Sequence, residues 1–364
     1  MRISCKLISA RYTHRGSVGN FKPNISDICA NLQMPKKILV IRFSSIGDIV
    51  LTTPVIRCLK QQLPDAEIHF ATKKQYVSVL EANPYISKIH VFEDKKLPTL
   101  VQQLSDEKFD LLIDLHNNLR SFLIRSNLNI ENRRFNKINF QKWLMVNFKI
   151  NILPEKHIVD RYLECVKDHG VINDGKGLDH FIPQKDLVDI TSLPPQFKNG
   201  YYAFVIGAMH FTKKLPLEKA IALCAELSKP IVLIGGKEDI EKGEKIAASN
   251  PNKIFNACGK FNINQSASII EQSLLVIAHD TGMMHIAAAL KKDIISIWGN
   301  TIPEFGMYPY FGNNNDLKSQ RNYHKIMEVT SLSCRPCSKI GFDACPKGHF
   351  NCMYQIDLST LKSL

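Results

Sequence analysis

Residues 275–290 read LVIAHDTGMMHIAAAL, an apolar strand that runs into His279-Asp280-Thr281-Gly282 and then at once into a helix of small residues. A helix start carries unpaired backbone N–H groups and the positive end of the macrodipole, so such a turn is a ready anion site. It can hold a phosphate without a metal. Residues 36–50, KKILVIRFSSIGDIV, repeat the design near the other end of the chain. Two strand–turn–helix units, far apart and each with an Asp at its turn, predict two α/β domains facing one cleft.

Working outward, the pattern alternates. Apolar strands are expected at 38–43, 67–71, 89–92 and 109–115, with helices over 49–62, near 76–82 and over 96–105. Asp48 is placed to cap the helix over 49–62, and Pro64 ends it. Gly and Pro punctuate a polar stretch at 174–199, where the interdomain linker is expected. Alternation then resumes, with strands at 201–206, 230–234, 254–256 and 274–278 and a last one at 294–298. Helices are expected over 217–228, near 240–249, over 264–271, and near 357–363. Apolar strands alternating with helices mean parallel sheets covered on both faces. The expected division is an extension over 1–34, a first domain over 35–180, a second over 195–345 and a C-terminal tail or helix over 346–364.

The chain has 364 residues, 45% hydrophobic and 22% charged, as in a globular protein of two domains. No apolar run approaches the roughly 20 residues of a membrane-spanning helix. The formal net charge of +13 points to an anionic partner. Seven Lys/Arg and one acid fall within 115–150, interleaved with Phe122, Phe135, Phe140, Trp143 and Phe148. A solvated basic face and a functional one are both open there. Residues 1–33 are basic and lack the apolar core of a signal peptide. Met34 is read as the true start, with 1–33 as upstream sequence or a disordered tail.

The turns suggest chemistry. Ser44-Ser45-Ile46-Gly47-Asp48 follows the first strand, at the sheet edge where α/β folds bind ligands. Asp48 either takes a proton from an attacking hydroxyl or merely caps the helix. One Gly and no P-loop Lys exclude the dinucleotide fingerprint and the Walker motif. Thr281 and the following N–H groups suit a diphosphate. Asp280 suits capping or a sugar hydroxyl, and His285 lies one turn in. Lys213 and Lys214 occupy a loop after another strand, where a Lys could offset charge on a leaving group. Glu238, in Gly235-Gly236-Lys237-Glu238-Asp239, could bind ribose or simply be solvated.

The SSIGD turn, the K-K-L-P loop, the GGKED turn and the HDTGxxHxAAA segment together resemble glycosyltransferase family 9, the heptosyltransferases that extend the lipopolysaccharide inner core. The resemblance runs from about Lys36 to the C-terminus. It implies a GT-B fold: two Rossmann-like domains with parallel sheets facing a central cleft, acceptor on the first and nucleotide-sugar on the second. It implies inverting, metal-independent transfer from ADP-heptose to an anionic glycolipid acceptor. Asp48 would be the general base. Thr212 and Lys213 would contact the diphosphate, Thr281 and Gly282 would form the phosphate turn, and Asp280 and His285 would lie at the donor. Glu238 would hold the ribose and the backbone near Phe261 the adenine. Ser45, Gly47 and Arg120 would serve the acceptor. His116-Asn117 departs from the Gln-Gly common in the family.

Of ten cysteines, Cys334, Cys337, Cys345 and Cys352 cluster near the C-terminus with His349 among them. C-x2-C suggests zinc, but the second pair lacks that spacing. A structural zinc, free thiols and a redox-dependent disulfide all remain open, and no cofactor is required. The expected location is cytoplasmic, peripheral at the inner-membrane surface, held by basic charge and exposed aromatics. The alternatives are a transferase of another nucleotide sugar acting on a surface polysaccharide, a basic nucleic-acid-binding protein, and a non-catalytic binding module. No nucleic-acid motif supports the second of these.

Overall fold

The computed structural model describes residues 34–94, 96–312 and 324–361. The expectation for 1–33, and the last residues of the helix expected near 357–363, lie outside the described residues.

The first sheet is built from β1 (Lys37–Ile41), β2 (Glu67–Lys73), β3 (Lys88–Phe92), β4 (Leu111–Asp114) and β5 (Glu131–Arg134). Its order is β3-β2-β1-β4-β5, and every pairing is parallel. Its helices are α1 (Ile46–Val50), α2 (Thr53–Gln62), α3 (Leu97–Asp106), α4 (Leu119–Leu128), α5 (Asn139–Phe148) and α6 (Ile158–Leu163). The second sheet comprises β6 (Tyr202–Val205), β7 (Ile231–Ile234), β8 (Ile254–Asn256), β9 (Leu275–His279), β10 (Ile294–Trp298) and β11 (His324–Glu328). Its order is β11-β10-β9-β6-β7-β8, again parallel throughout. Helices α7 (Leu217–Glu226), α8 (Ile240–Ala247), α9 (Ile263–Gln272), α10 (Gly282–Ala289) and α11 (Asn351–Tyr354) belong with it.

Both sheets are Rossmann-like. In each, the strand order reverses beside the first strand, between β1 and β4 and between β6 and β9. Ligands of such sheets bind beyond the strand C-termini at that reversal. The SSIGD turn leaves β1 there, and the Asp280 turn leaves β9 there. The central strands are buried on both faces, which is why they read as unbroken apolar runs. One continuous apolar cluster joins the domains. It takes Ile38, Val40 and Ile113 from the first sheet, Val205, Val276 and Ile294 from the second, and Val159, Tyr162 and Val166 from the segment between.

The structure corrects several expectations. The helix after SSIGD is two helices, because Pro54 enters α2 as its second residue and supplies no N–H to continue α1. The helix expected near 76–82 is a 3-10 segment, Lys74–Val79. Ile294–Trp298 is not the last strand, since β11 pairs with it along its whole length. Strand β5 and helices α4 and α5 also carried no expectation. Of the tail or helix expected over 346–364, the described part holds the short helix α11, and it is packed rather than loose: Phe350, Cys352, Met353, Ile356, Leu358 and Leu361 are buried in the core of the second domain. Among the described residues no helix is long and apolar enough to cross a membrane.

Candidate functional site

Helix α1 starts at Ser45, whose extended backbone makes it the N-cap. Asp48 is therefore not the cap but the third helical residue. Its carboxylate reaches back to accept from the Ser45 N–H at 3.1 Å and from the Ser45 hydroxyl at 3.0 Å. Its other oxygen pairs with Arg42 at 2.6 Å. Arg42 is buried and also donates to the carbonyls of Ser44 and Leu115. Burial pushes the Asp48 carboxyl up, but Arg42 and the Ser45 donors outweigh it and hold the group below the usual carboxylate range.

The second half is built around Asp280. Lys213 pairs with it at 2.6 Å, and the Thr301 hydroxyl donates to it at 2.9 Å. Thr281 is the N-cap of α10, and its buried hydroxyl has no partner among the described residues. The same holds for Nδ1 of His285 and for the side-chain amide of Asn300, just beyond β10. Three buried polar groups without partners at one rim suit a polar ligand. His285 is driven down to about 4, by burial first and against the pull of Asp280 and Asp48, so its ring is neutral.

Neighbouring loops are cross-tied. Lys214 pairs with buried Asp239 at 2.7 Å, and Asp239 also accepts from the Gly236 N–H. The K-K-L-P loop is thereby locked to the GGKED turn, which distinguishes the two lysines. His279 is buried, and its Nε2 accepts from the Leu215 N–H at 3.0 Å, fixing the loop that carries both. The Thr212 side chain is buried. Its hydroxyl accepts from the Phe342 N–H at 2.9 Å and lies 3.1 Å from that residue's carbonyl. The structure therefore commits Thr212 to anchoring the C-terminal segment rather than to the diphosphate. Glu238 is exposed, with its carboxylate lying over Gly236. Phe261 is half-buried against the core. Arg120 is exposed, with its guanidinium 5.7 Å from the centre of the Phe92 ring.

The two halves meet glycine to glycine. A Cβ on Gly47 would lie 2.7 Å from the His285 ring and 3.3 Å from the Gly282 Cα. A Cβ on Gly282 would lie 2.7 Å from the Ile46 side chain. Only glycine on both sides lets α1 and α10 approach so closely.

Several cations near Asp48 carried no sequence expectation. Lys142 lies 5.6 Å from the Phe305 ring centre. Its ammonium is pushed down to about 8, by burial first and then by Arg161, against the opposing pull of Asp48. Lys137 is lowered by burial and by Arg42. Both also feel Lys339, which arrives from the cysteine segment of the second domain. Arg42 left a trace in the sequence as the single charge in strand 38–43, and Lys137 and Lys142 only as members of the basic stretch 115–150.

The four C-terminal cysteines are neighbours: Cys337 interacts with Cys334 and Cys345, and Cys352 feels all three. The Cys334 sulfur is 3.9 Å from His349 Nε2, and the Cys337 thiol donates to the Cys334 carbonyl at 3.1 Å. Burial, and after it the neighbouring thiols, push the Cys337 thiol up to about 11; burial pushes the Cys352 thiol up to about 12. Among the described residues the one group with three donors at mutual coordination range is His69, His90 and Glu107. It lies at the far edge of the first sheet, where Lys37 and Lys88 both hold Glu107.

Comparison with known proteins agrees with this geometry. Residues 98–334 match the model of glycosyltransferase family 9 (heptosyltransferase). Lipopolysaccharide heptosyltransferase 1 of Campylobacter coli is 26% identical over 295 residues, covering 73% of this chain and 84% of that protein. A family 9 glycosyl transferase from Veillonella parvula superposes with a TM-score of 0.69 at 19% identity, over 90% of this chain and 95% of that one. The ADP-heptose LPS heptosyltransferase II of E. coli superposes at 0.63 and 19% identity, over 90% of this chain and all of that one. The two facing Rossmann-like sheets are thus the GT-B fold, and the chain belongs to glycosyltransferase family 9, the heptosyltransferases.

Proposed function

We propose that this glycosyltransferase moves heptose from ADP-heptose to an anionic, lipid-linked acceptor of the lipopolysaccharide inner core, with inversion and without a metal. The observation that carries the reading is the meeting of Asp48 on one domain with the Lys213–Asp280 pair and the α10 N-terminus on the other, closed by Gly47 against Gly282. Support comes from relatives: the Campylobacter coli protein is named a lipopolysaccharide heptosyltransferase, and the solved E. coli protein an ADP-heptose LPS heptosyltransferase.

The donor diphosphate sits at Thr281, Gly282 and the free N–H groups of α10, with Lys213 turning from Asp280 toward it. Glu238 takes the ribose and the backbone near Phe261 the adenine. The acceptor lies over Ser45 and Gly47, its anionic groups drawn by Lys137, Lys142, Lys339 and Arg120. The acceptor oxygen attacks the anomeric carbon from the face opposite the diphosphate. The bond to the leaving oxygen breaks, and ADP departs with the electron pair. The acceptor hydroxyl proton passes to Asp48. Arg42 keeps Asp48 ionised, as a base must be, but lowers its proton affinity. Proton transfer therefore comes late, once C–O bond formation has made the hydroxyl acidic. Lys213 and the helix dipole supply the charge a metal would otherwise bring. We place the enzyme in the cytoplasm, against the inner face of the membrane that holds its acceptor.

The test offers ADP-, UDP- and GDP-sugars with deacylated core glycolipid to the wild type and to Asp48→Ala, with and without chelator. The expected result is chelator-resistant turnover of ADP-heptose, lost in Asp48→Ala while donor binding persists. Turnover with only another nucleotide sugar would move the protein to a different glycan. No nucleotide-sugar binding would overturn the reading.

A further inference from the structure

Helix α5 is anomalous, because none of its residues is buried. It nonetheless carries Phe140, Trp143 and Phe148, with 64, 51 and 59% of their surfaces exposed. The rings touch one another instead of the core. Phe140 and Trp143 lie 6.2 Å apart and nearly parallel, and Trp143 and Phe148 meet edge to face at 5.2 Å. The ridge continues into Ile150 and Ile152, both half exposed. On α4, which also starts at the cleft edge of the first sheet, Leu119 and Phe122 are exposed as well. The run of touching, exposed rings on α5 is apolar surface of the kind that marks an interaction site.

The ridge is held in place. Lys149, just past the helix, donates to the carbonyls of Val146, Cys334 and Pro336, latching α5 to the second domain. Lys142, on the same helix, faces inward, against Phe305 and toward Asp48. The helix thus presents a cation to the cleft and aromatic rings to solvent. Seven Lys/Arg and one acid lie within 115–150; Arg125 pairs with Asp114 and Arg133 with Glu131 and Asp168, and the remaining cations carry the excess.

We propose that the α5 aromatic ridge, with Arg120, Lys137 and the neighbouring cations, is the surface by which the enzyme docks on an anionic lipid bilayer. Aromatic rings settle at the headgroup level, while the cations meet acidic headgroups. A protein partner fits less well, since protein interfaces deplete lysine around their apolar centres. The docked pose sets the acceptor side of the cleft against the membrane, so that a lipid-linked sugar reaches Asp48 without leaving its bilayer. The inference rests on the reading of a lipid-linked acceptor given above.

The chain has two tryptophans, and Trp298 is buried, so Trp143 reports contact with lipid. The full chain is titrated with phosphatidylcholine vesicles and with vesicles containing about a third phosphatidylglycerol. Binding to the anionic vesicles alone, with a blue shift, quenching by brominated lipid and weakening in salt, is the expected result. The double variant Phe140→Ser, Phe148→Ser should partition about tenfold less or worse. Its transfer to deacylated, water-soluble acceptor should stay at the wild-type rate, which shows that it folds. Equal binding to neutral vesicles, no blue shift, undiminished binding by the variant, or a dimer abolished by the variant would each overturn the proposal. Turnover without vesicle binding removes only the docking surface, and vesicle binding without turnover removes only the transferase reading.

Discussion

Gly47 and Gly282 touch across the interdomain cleft, backbone against backbone, so that the N-termini of α1 and α10 converge on one point. Neither residue has a positive φ among the glycines that do, so what each position demands is room rather than backbone freedom. Gly282→Ala would drive a methyl into Ile46, and Gly47→Ala would drive one into His285. We expect either change to hold the halves apart by a fraction of an ångström or more. The loss in kcat/KM should approach the ~100-fold that follows a 1 Å misplacement of reacting groups. Because one apolar cluster runs through both domains at this seam, the melting temperature should fall as well. Steady-state kinetics beside a thermal melt checks this.

Asp48 and Arg42 should separate chemistry from charge tuning. Asp48→Asn removes the proton acceptor, and kcat should fall by roughly 10²–10⁴ while donor affinity stays put. Arg42→Gln removes the main force holding Asp48 ionised and leaves burial, which acts the other way. The acidic limb of the kcat profile should then move to higher pH. The sign for stability is consistent. A carboxyl lowered on folding stabilises the native state above its unfolded pKa, and that stability is lost as pH falls through the folded value. Arg42→Gln should therefore flatten the stability loss in acid. A profile unchanged by Arg42→Gln would remove Asp48 from the rate-limiting protonation.

Lys213 and Lys214 are neighbours with opposite fates. Lys213→Ala frees Asp280 at the rim and should weaken ADP binding by about tenfold or more, the scale of one charge-assisted hydrogen bond. Lys214→Ala leaves the buried Asp239 carboxylate without its cation, and should cost about 3 kcal/mol of stability. Calorimetric ADP titration and denaturant unfolding of both variants should give these opposite patterns.

The pH dependence should lack a histidine step. His285 near 4, and His279 and His116 near 3, are all neutral from mildly acid pH upward. Lys142, pushed down to about 8, loses its charge in the alkaline range. The acceptor KM should accordingly rise above pH 8 while the donor KM stays level, and Lys142→Met should abolish that rise. An inflection near 6.5 in kcat/KM for the donor would contradict the neutral His285.

How far the sequence could be read depends on what each residue faces. β1, β9 and β10 are covered on both sides, and their apolar runs announce them. β5, reading ENRR, and β11, reading HKIME, are sheet edges with partly exposed, polar faces, and nothing in their composition demands a strand. The turns at Asp48 and Asp280 were legible because a strand end, a polar residue and a helix start are adjacent in the chain. Lys137 and Lys142 were legible only as part of the basic stretch 115–150, and Lys339 not at all, because only the fold brings them near Asp48. Thr212 shows the converse: its place in the K-K-L-P loop suggested a ligand, and the distant Phe342 claims it instead.

The apolar cluster that runs from β1 through Tyr162 and Val166 to β9 and β10 has a consequence for protein engineering. GT-B enzymes invite recombination, with the donor half of one grafted to the acceptor half of another at the linker. In this chain such a cut would pass through a single shared interior. A chimera would inherit two half-cores shaped for absent counterparts, and nucleotide specificity is better altered by exchanging the rim loops at 207–216 and 235–239 than by exchanging halves.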